Sequence, residues 1–104
     1  MVNHSPAINL PKLALADFCQ RHHIRKLSLF GSVLRADFRP DSDVDFLVEF
    51  EPEHTPGLIR LAGMELELSD LIQRKADLRT PNDLSRYFRN DVLQSAIVQY
   101  DQAR

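Results

Sequence analysis

The chain has 104 residues, 43% hydrophobic and 27% charged, with a formal net charge of −2 and a pI near 6.0. That length supports one domain, residues 1–104, with a modest core and no separate substrate lobe, and the acidic balance argues against direct binding to a nucleic-acid backbone, which needs a basic surface. A lone Cys19, no basic leader and apolar runs far shorter than the roughly 20 residues of a membrane span lead us to expect a cytoplasmic protein.

Residues 1–9 are polar and include Pro6, which predicts a flexible segment. From Pro11 to His23 the spacing of Leu15, Phe18, Cys19 and His22 predicts an amphipathic helix. Cys19 on its apolar face reads as a small core residue and not as a nucleophile, since no basic partner is identifiable. His22 and His23 are adjacent and point in different directions, so they read as the polar end of a helix and not as a shared metal site. Ile24 to Phe30 is expected as the first strand, with Ile24, Leu27, Leu29 and Phe30 in apolar contacts. Ser32 to Arg35 follows as a short helical turn, and Arg39-Pro40-Asp41-Ser42 as a tight loop.

The organising stretch runs from Phe30 to Asp45. An apolar strand stops at Gly31-Ser32, where a glycine admits close approach of backbone to an anion and a serine offers a hydroxyl and an N–H. Arg35 either faces a nucleotide phosphate or pairs with Asp37 or Asp41. Asp43 and Asp45 lie one residue apart at the start of a second predicted strand, Asp43 to Phe50, and so share one face of it. Two carboxylates about 6 Å apart repel by roughly 3 kcal/mol at an effective dielectric of about 20, so the pair is costly unless a cation or proton shares the site. An acidic turn opening a strand would account for Asp43 alone. Asp45, inside the apolar run Val44 to Val48, needs a partner. Carboxylate oxygen without convergent Cys or His points to magnesium or manganese and not to zinc.

Beyond Glu51 a surface turn over Pro52-Glu53-His54 leads to Thr55 and Pro56, which suit the cap and first turn of a helix reaching about Arg74. Leu58, Leu61, Ala62, Met64, Leu68, Leu71 and Ile72 give that helix an apolar stripe for one face of a sheet, while Arg60, Glu67, Asp70 and Arg74 stay wet. Ala76 to Thr80 is a third predicted strand, and Asp77 taken alone reads as a surface acid. The tail from Asp83 has helical composition, with Leu84, Tyr87 and Phe88 in a short piece and Val92, Leu93, Ala96, Ile97 and Tyr100 in a longer one. Arg74, Lys75, Arg79, Arg86 and Arg89 make this end basic, by default a solvated face, with a contact surface for an acidic partner or nucleotide as the alternative. The expected fold is α/β, with three strands in a mixed sheet flanked by helices before, between and after them.

Gly31-Ser32, ten intervening residues and then Asp43-Val44-Asp45 resembles the signature of the nucleotidyltransferase superfamily that includes DNA polymerase beta. The stretch Leu29 to Phe38 with Ser42 to Asp45 is similar, more narrowly, to the minimal nucleotidyltransferases, the MntA-type antitoxins paired with HEPN ribonuclease toxins, and the likeness runs from about Ile24 to Tyr100. The resemblance implies a small nucleotidyltransferase fold, Asp43, Asp45 and Asp77 as catalytic metal ligands for magnesium or manganese, and Gly31, Ser32, Arg35 and Ser42 at the nucleotide. It further implies transfer of AMP from ATP to a tyrosine hydroxyl of a cognate HEPN toxin. A non-catalytic antitoxin that keeps the site as a nucleotide pocket and silences its partner stoichiometrically is the alternative, which three intact carboxylates count against. Modification of a small-molecule antibiotic is disfavoured by the missing substrate lobe.

Overall fold

The computed structural model describes residues 10–34 and 42–102. Helix α1 (Lys12–Arg21) leads into strand β1 (Ile24–Phe30) and a 3-10 turn (Gly31–Leu34). Strand β2 (Val44–Phe50), helix α2 (Leu58–Ile72) and strand β3 (Ala76–Arg79) follow. A second 3-10 turn (Pro81–Asp83), helix α3 (Arg89–Ser95) and strand β4 (Ile97–Asp101) complete the described order. The four strands form one mixed sheet in the order β3-β2-β1-β4. β1 runs antiparallel to both neighbours, and β2 and β3 are parallel, as a crossover through a helix requires.

Alternation divides the sheet into two faces. Leu27 pairs with Val48 and Leu29 with Phe46, while Val44 lies beside Ala76 and Phe46 beside Leu78. All of these are buried against Leu15, Phe18 and Cys19 of α1 and Met64, Leu68 and Ile72 of α2. Phe30 pairs with Asp45, and Asp45 with Asp77, so the acidic residues point to the other face. The core thus fixes the register that holds the carboxylates, because a slip of one residue would turn the aspartates into it.

The edge strand β3 is covered by α2 itself. The Ala76 N–H donates to Ser69 Oγ at 2.8 Å and the Leu78 N–H to Glu65 Oε2 at 2.7 Å. Residues four apart on a helix face thereby meet residues two apart on a strand, and two otherwise open ladder donors are satisfied. At the other end of the helices, Arg21 bonds Asp17 at 2.8 Å and Glu67 at 2.5 Å, and His22 Nε2 lies 2.8 Å from the second oxygen of Glu67. The Arg21 hydrogen bond, aided by that from His22, holds the Glu67 carboxyl below its usual range. Burial pushes the Cys19 thiol up to about 12, which makes it the inert core residue that its position on α1 predicts.

Three expectations change. Ile97 to Asp101 is a strand where the tail composition predicts helix, because this short β-branched and aromatic run pairs with the free edge of β1. Leu84 is buried, but Tyr87 and Phe88 sit exposed in a turn and not in a helical piece. Helix α2 starts at Leu58, with Gly57 extended in the cap position, two residues later than Thr55 and Pro56 suggest. Its core line is Met64, Leu68 and Ile72, with Leu61 and Leu71 beside them. Leu58 (86% exposed) and Ala62 fall outside that line and face solvent. Among the described residues no helix is long and apolar enough to cross a membrane.

Candidate active site

Apolar pairing places the site where β1 ends and where β2 and β3 begin. β1 delivers Gly31 at φ +77, a left-handed conformation that glycine adopts without penalty. Its missing side chain is needed for space as well, since a Cβ there would stand 2.5 Å from Asp45 Oδ2. The phosphate-type turn and the second aspartate are therefore packed against each other, although twelve residues separate Ser32 from Asp45 in the chain.

Asp45 and Asp77 are Cα partners across the parallel pair, about 4.8 Å apart by strand spacing. Asp43 lies two residues before Asp45, just ahead of β2. The Val44 N–H donates to the Lys75 carbonyl at 2.8 Å, which draws Lys75 alongside Asp43. Lys75 Nζ then stands 3.7 Å from Asp43 Oδ2, with both groups well exposed. Behind them, Arg74 Nη2 donates to the Ser42 carbonyl at 2.9 Å and fixes the backbone just ahead of Asp43. Asp77 is thus brought to the aspartate pair, and is no isolated surface acid.

The donor set is all carboxylate oxygen, at one end of the sheet, with the Lys75 ammonium group as the neighbouring cation. Such a set fits a hard divalent ion of the magnesium type. Ser42 is half-buried beside Asp43, and the backbone of Ser32 lies in the 3-10 turn next to Gly31. Arg35 lies outside the described residues. Arg74 and Lys75 escape the sequence reading, which places them on a solvated basic surface. Their signal was their position immediately before the strand that carries Asp77.

A separate cavity of about 230 Å³ opens at the far end of β2, against Val48, Phe50, Thr55 and Pro81, well away from the aspartates. It carries no carboxylate cluster comparable to the one at Asp45 and Asp77, so the chemistry is assigned to the strand starts and not to this hollow.

Residues 12–99 match the family described as nucleotidyltransferase domain. The protein adenylyltransferase MntA of Thermococcus cleftensis is 32% identical over 78 residues, covering 75% of this chain and 77% of the relative. A chain of Methanocaldococcus jannaschii assigned as a protein adenylyltransferase is 28% identical over 90 residues, covering 86% of this chain and 95% of its own length. A solved structure described as a minimal nucleotidyltransferase superposes with a TM-score of 0.68 at 36% identity, over 83% of this chain and 86% of that one. A toxin-antitoxin structure with AMP-PNP shares the fold at a TM-score of 0.71 and 17% identity, covering 88% and 74%. On these likenesses the chain belongs to the nucleotidyltransferase family, in the minimal branch that holds the MntA-type proteins.

Proposed function

We propose that this nucleotidyltransferase is a cytoplasmic antitoxin that moves AMP from ATP to a tyrosine hydroxyl of a HEPN-type ribonuclease toxin. The observation that carries the reading is the register of Asp45 opposite Asp77 with Gly31 pressed against Asp45. That arrangement supports a triphosphate seated on the Gly31-Ser32 turn, beside a carboxylate face. Asp43, Asp45 and Asp77 would hold magnesium, which supplies charge neutralisation at the phosphates when bound.

The tyrosine oxygen attacks the α-phosphorus, a new O–P bond forms, the bond between the α-phosphorus and its bridging oxygen breaks, and pyrophosphate leaves. Asp77 accepts the phenolic proton or orients the hydroxyl that loses it. A phenol with a pKa near 10 gives up that proton more readily than an aliphatic alcohol. Gly31 and Ser32 would align the triphosphate, Ser42 would contact it, and Arg74 keeps Ser42 and Asp43 in place through its bond to the Ser42 carbonyl. The kinship with proteins named protein adenylyltransferases supports a protein acceptor, and a likeness to toxin-antitoxin structures supports a toxin as that protein.

The test is intact-mass spectrometry of the cognate toxin after incubation with this chain, ATP and magnesium. We expect a mass increase of one or more adenylyl groups, none with the Asp43→Asn/Asp45→Asn variant, and binding of ATP retained by Asp77→Asn with transfer lost. Neutralisation of the toxin without added mass, and equally by the double variant, would replace the reading with a stoichiometric binder.

A further inference from the structure

At the end of the sheet remote from the aspartates, His23, Glu51 and His54 converge. His23 precedes β1, Glu51 follows β2 and His54 lies in the loop toward α2, so the cluster is separated from Gly31 by the full seven-residue length of β1, on the order of 20 Å. One ligand atom from each residue lies within 4.8 Å of the others. His23 Nδ1 is 3.7 Å from Glu51 Oε2, too far for a hydrogen bond. It is close to the spacing of about 3.4 Å that two donor atoms take around one tetrahedral ion with bonds near 2.0 to 2.1 Å. The two imidazole rings stack face to face, with centroids 4.0 Å apart and planes 16° from parallel.

The cluster is held from several sides. The Glu51 N–H donates to the His23 carbonyl at 2.9 Å, and the His54 N–H to the Glu51 carbonyl at 3.0 Å. Gln102, just past β4, donates its side-chain N–H to Glu51 Oε2 at 3.1 Å while its backbone N–H reaches the Arg25 carbonyl at 2.8 Å. A carboxylate oriented by an outer hydrogen bond is a usual companion of a metal ligand. His23 itself adopts φ +56, a conformation that Gly or Asn would take more cheaply, and this places its ring over that of His54.

We propose that His23, Glu51 and His54 form a second metal site, of zinc type, that clips together the start of β1, the end of β2 and the loop into α2. Two imidazoles and one carboxylate are the ligand set of such ions, with a fourth position left to water or an incoming ligand. Magnesium prefers the all-oxygen cluster at the other end, so the two sites discriminate by donor chemistry. His22, by contrast, turns to Glu67 and takes no part.

The experiment is calorimetric titration of the full EDTA-stripped chain with zinc chloride in excess magnesium, with Tm measured in parallel. One zinc per chain is expected, with a raised Tm. His54→Ala, an exposed loop substitution, and Glu51→Gln should each weaken binding at least about tenfold, since losing a ligand costs no less than losing an outer partner, and should abolish the Tm rise. His23→Asn, which tolerates the left-handed backbone, should behave alike. Circular dichroism in EDTA establishes that each variant is folded. The Asp43→Asn/Asp45→Asn variant should bind zinc undiminished. Zinc binding that survives the three cluster substitutions, binding lost with the two aspartates, or no heat and no Tm shift with zinc in excess would each overturn the proposal.

Discussion

Gly31 carries two demands at once, a left-handed backbone and an empty Cβ position against Asp45 Oδ2. Gly31→Ala should therefore cost about 1 to 2 kcal/mol from the backbone alone, and more from the displaced carboxylate. We expect a Tm lower by several degrees and loss of nucleotidyl transfer, read by thermal denaturation and a pyrophosphate-release assay. Gly63 is the counterpart: it sits within α2, and a Cβ there meets nothing within 4 Å. Gly63→Ala should raise stability by about 0.5 to 1 kcal/mol with transfer unchanged. Asp43 and Asp45 stood out in the sequence by their period-two spacing, while Asp77 was reached only through the family resemblance, because its place beside Asp45 comes from strand pairing. Lys75 and the His23, Glu51 and His54 cluster were not, because their partners come from strand pairing and loop closure that no local pattern encodes.

Among the elements, α2 does most to complete the sheet. Glu65→Ala would leave the Leu78 N–H of the edge strand without its carboxylate, at a cost of about 1 kcal/mol, the low end for a half-buried donor. Glu65→Gln keeps an acceptor oxygen and should recover most of that loss, both measured as urea midpoints. The tie between α1 and α2 is acid-sensitive. Glu67 is held below its usual range by Arg21, so its contribution is present above the unfolded carboxylate value of about 4.3 and is lost as pH falls through the lower folded value. Because both partners are substantially exposed, Glu67→Gln should lose only about 0.5 kcal/mol at neutral pH. The gap to the unmodified chain should close on acidification below about pH 4, followed by urea titration at several pH values. At this scale β1, β2 and β3 were legible from their apolar runs and bounding turns. β4 was not, since five residues of mixed β-branched and aromatic character fit either period until a strand edge is there to pair them.

For the whole molecule, Asp43, Asp45 and Asp77 concentrate like charge at one end of the sheet. Asp43→Asn/Asp45→Asn should be slightly more stable than the unmodified chain in EDTA, because like charges are removed. It should lose the Tm rise that magnesium and ATP give the unmodified chain, as differential scanning calorimetry would show. The strand order adds a consequence for synthesis. All three carboxylates have been made once residue 79 is in place, yet β1, the strand that presents Gly31, keeps a bare edge until β4 pairs with it. A ribosome-bound chain therefore holds its reactive end early and closes its hydrogen-bonding surface late, and in that interval the exposed edge can recruit another nascent strand.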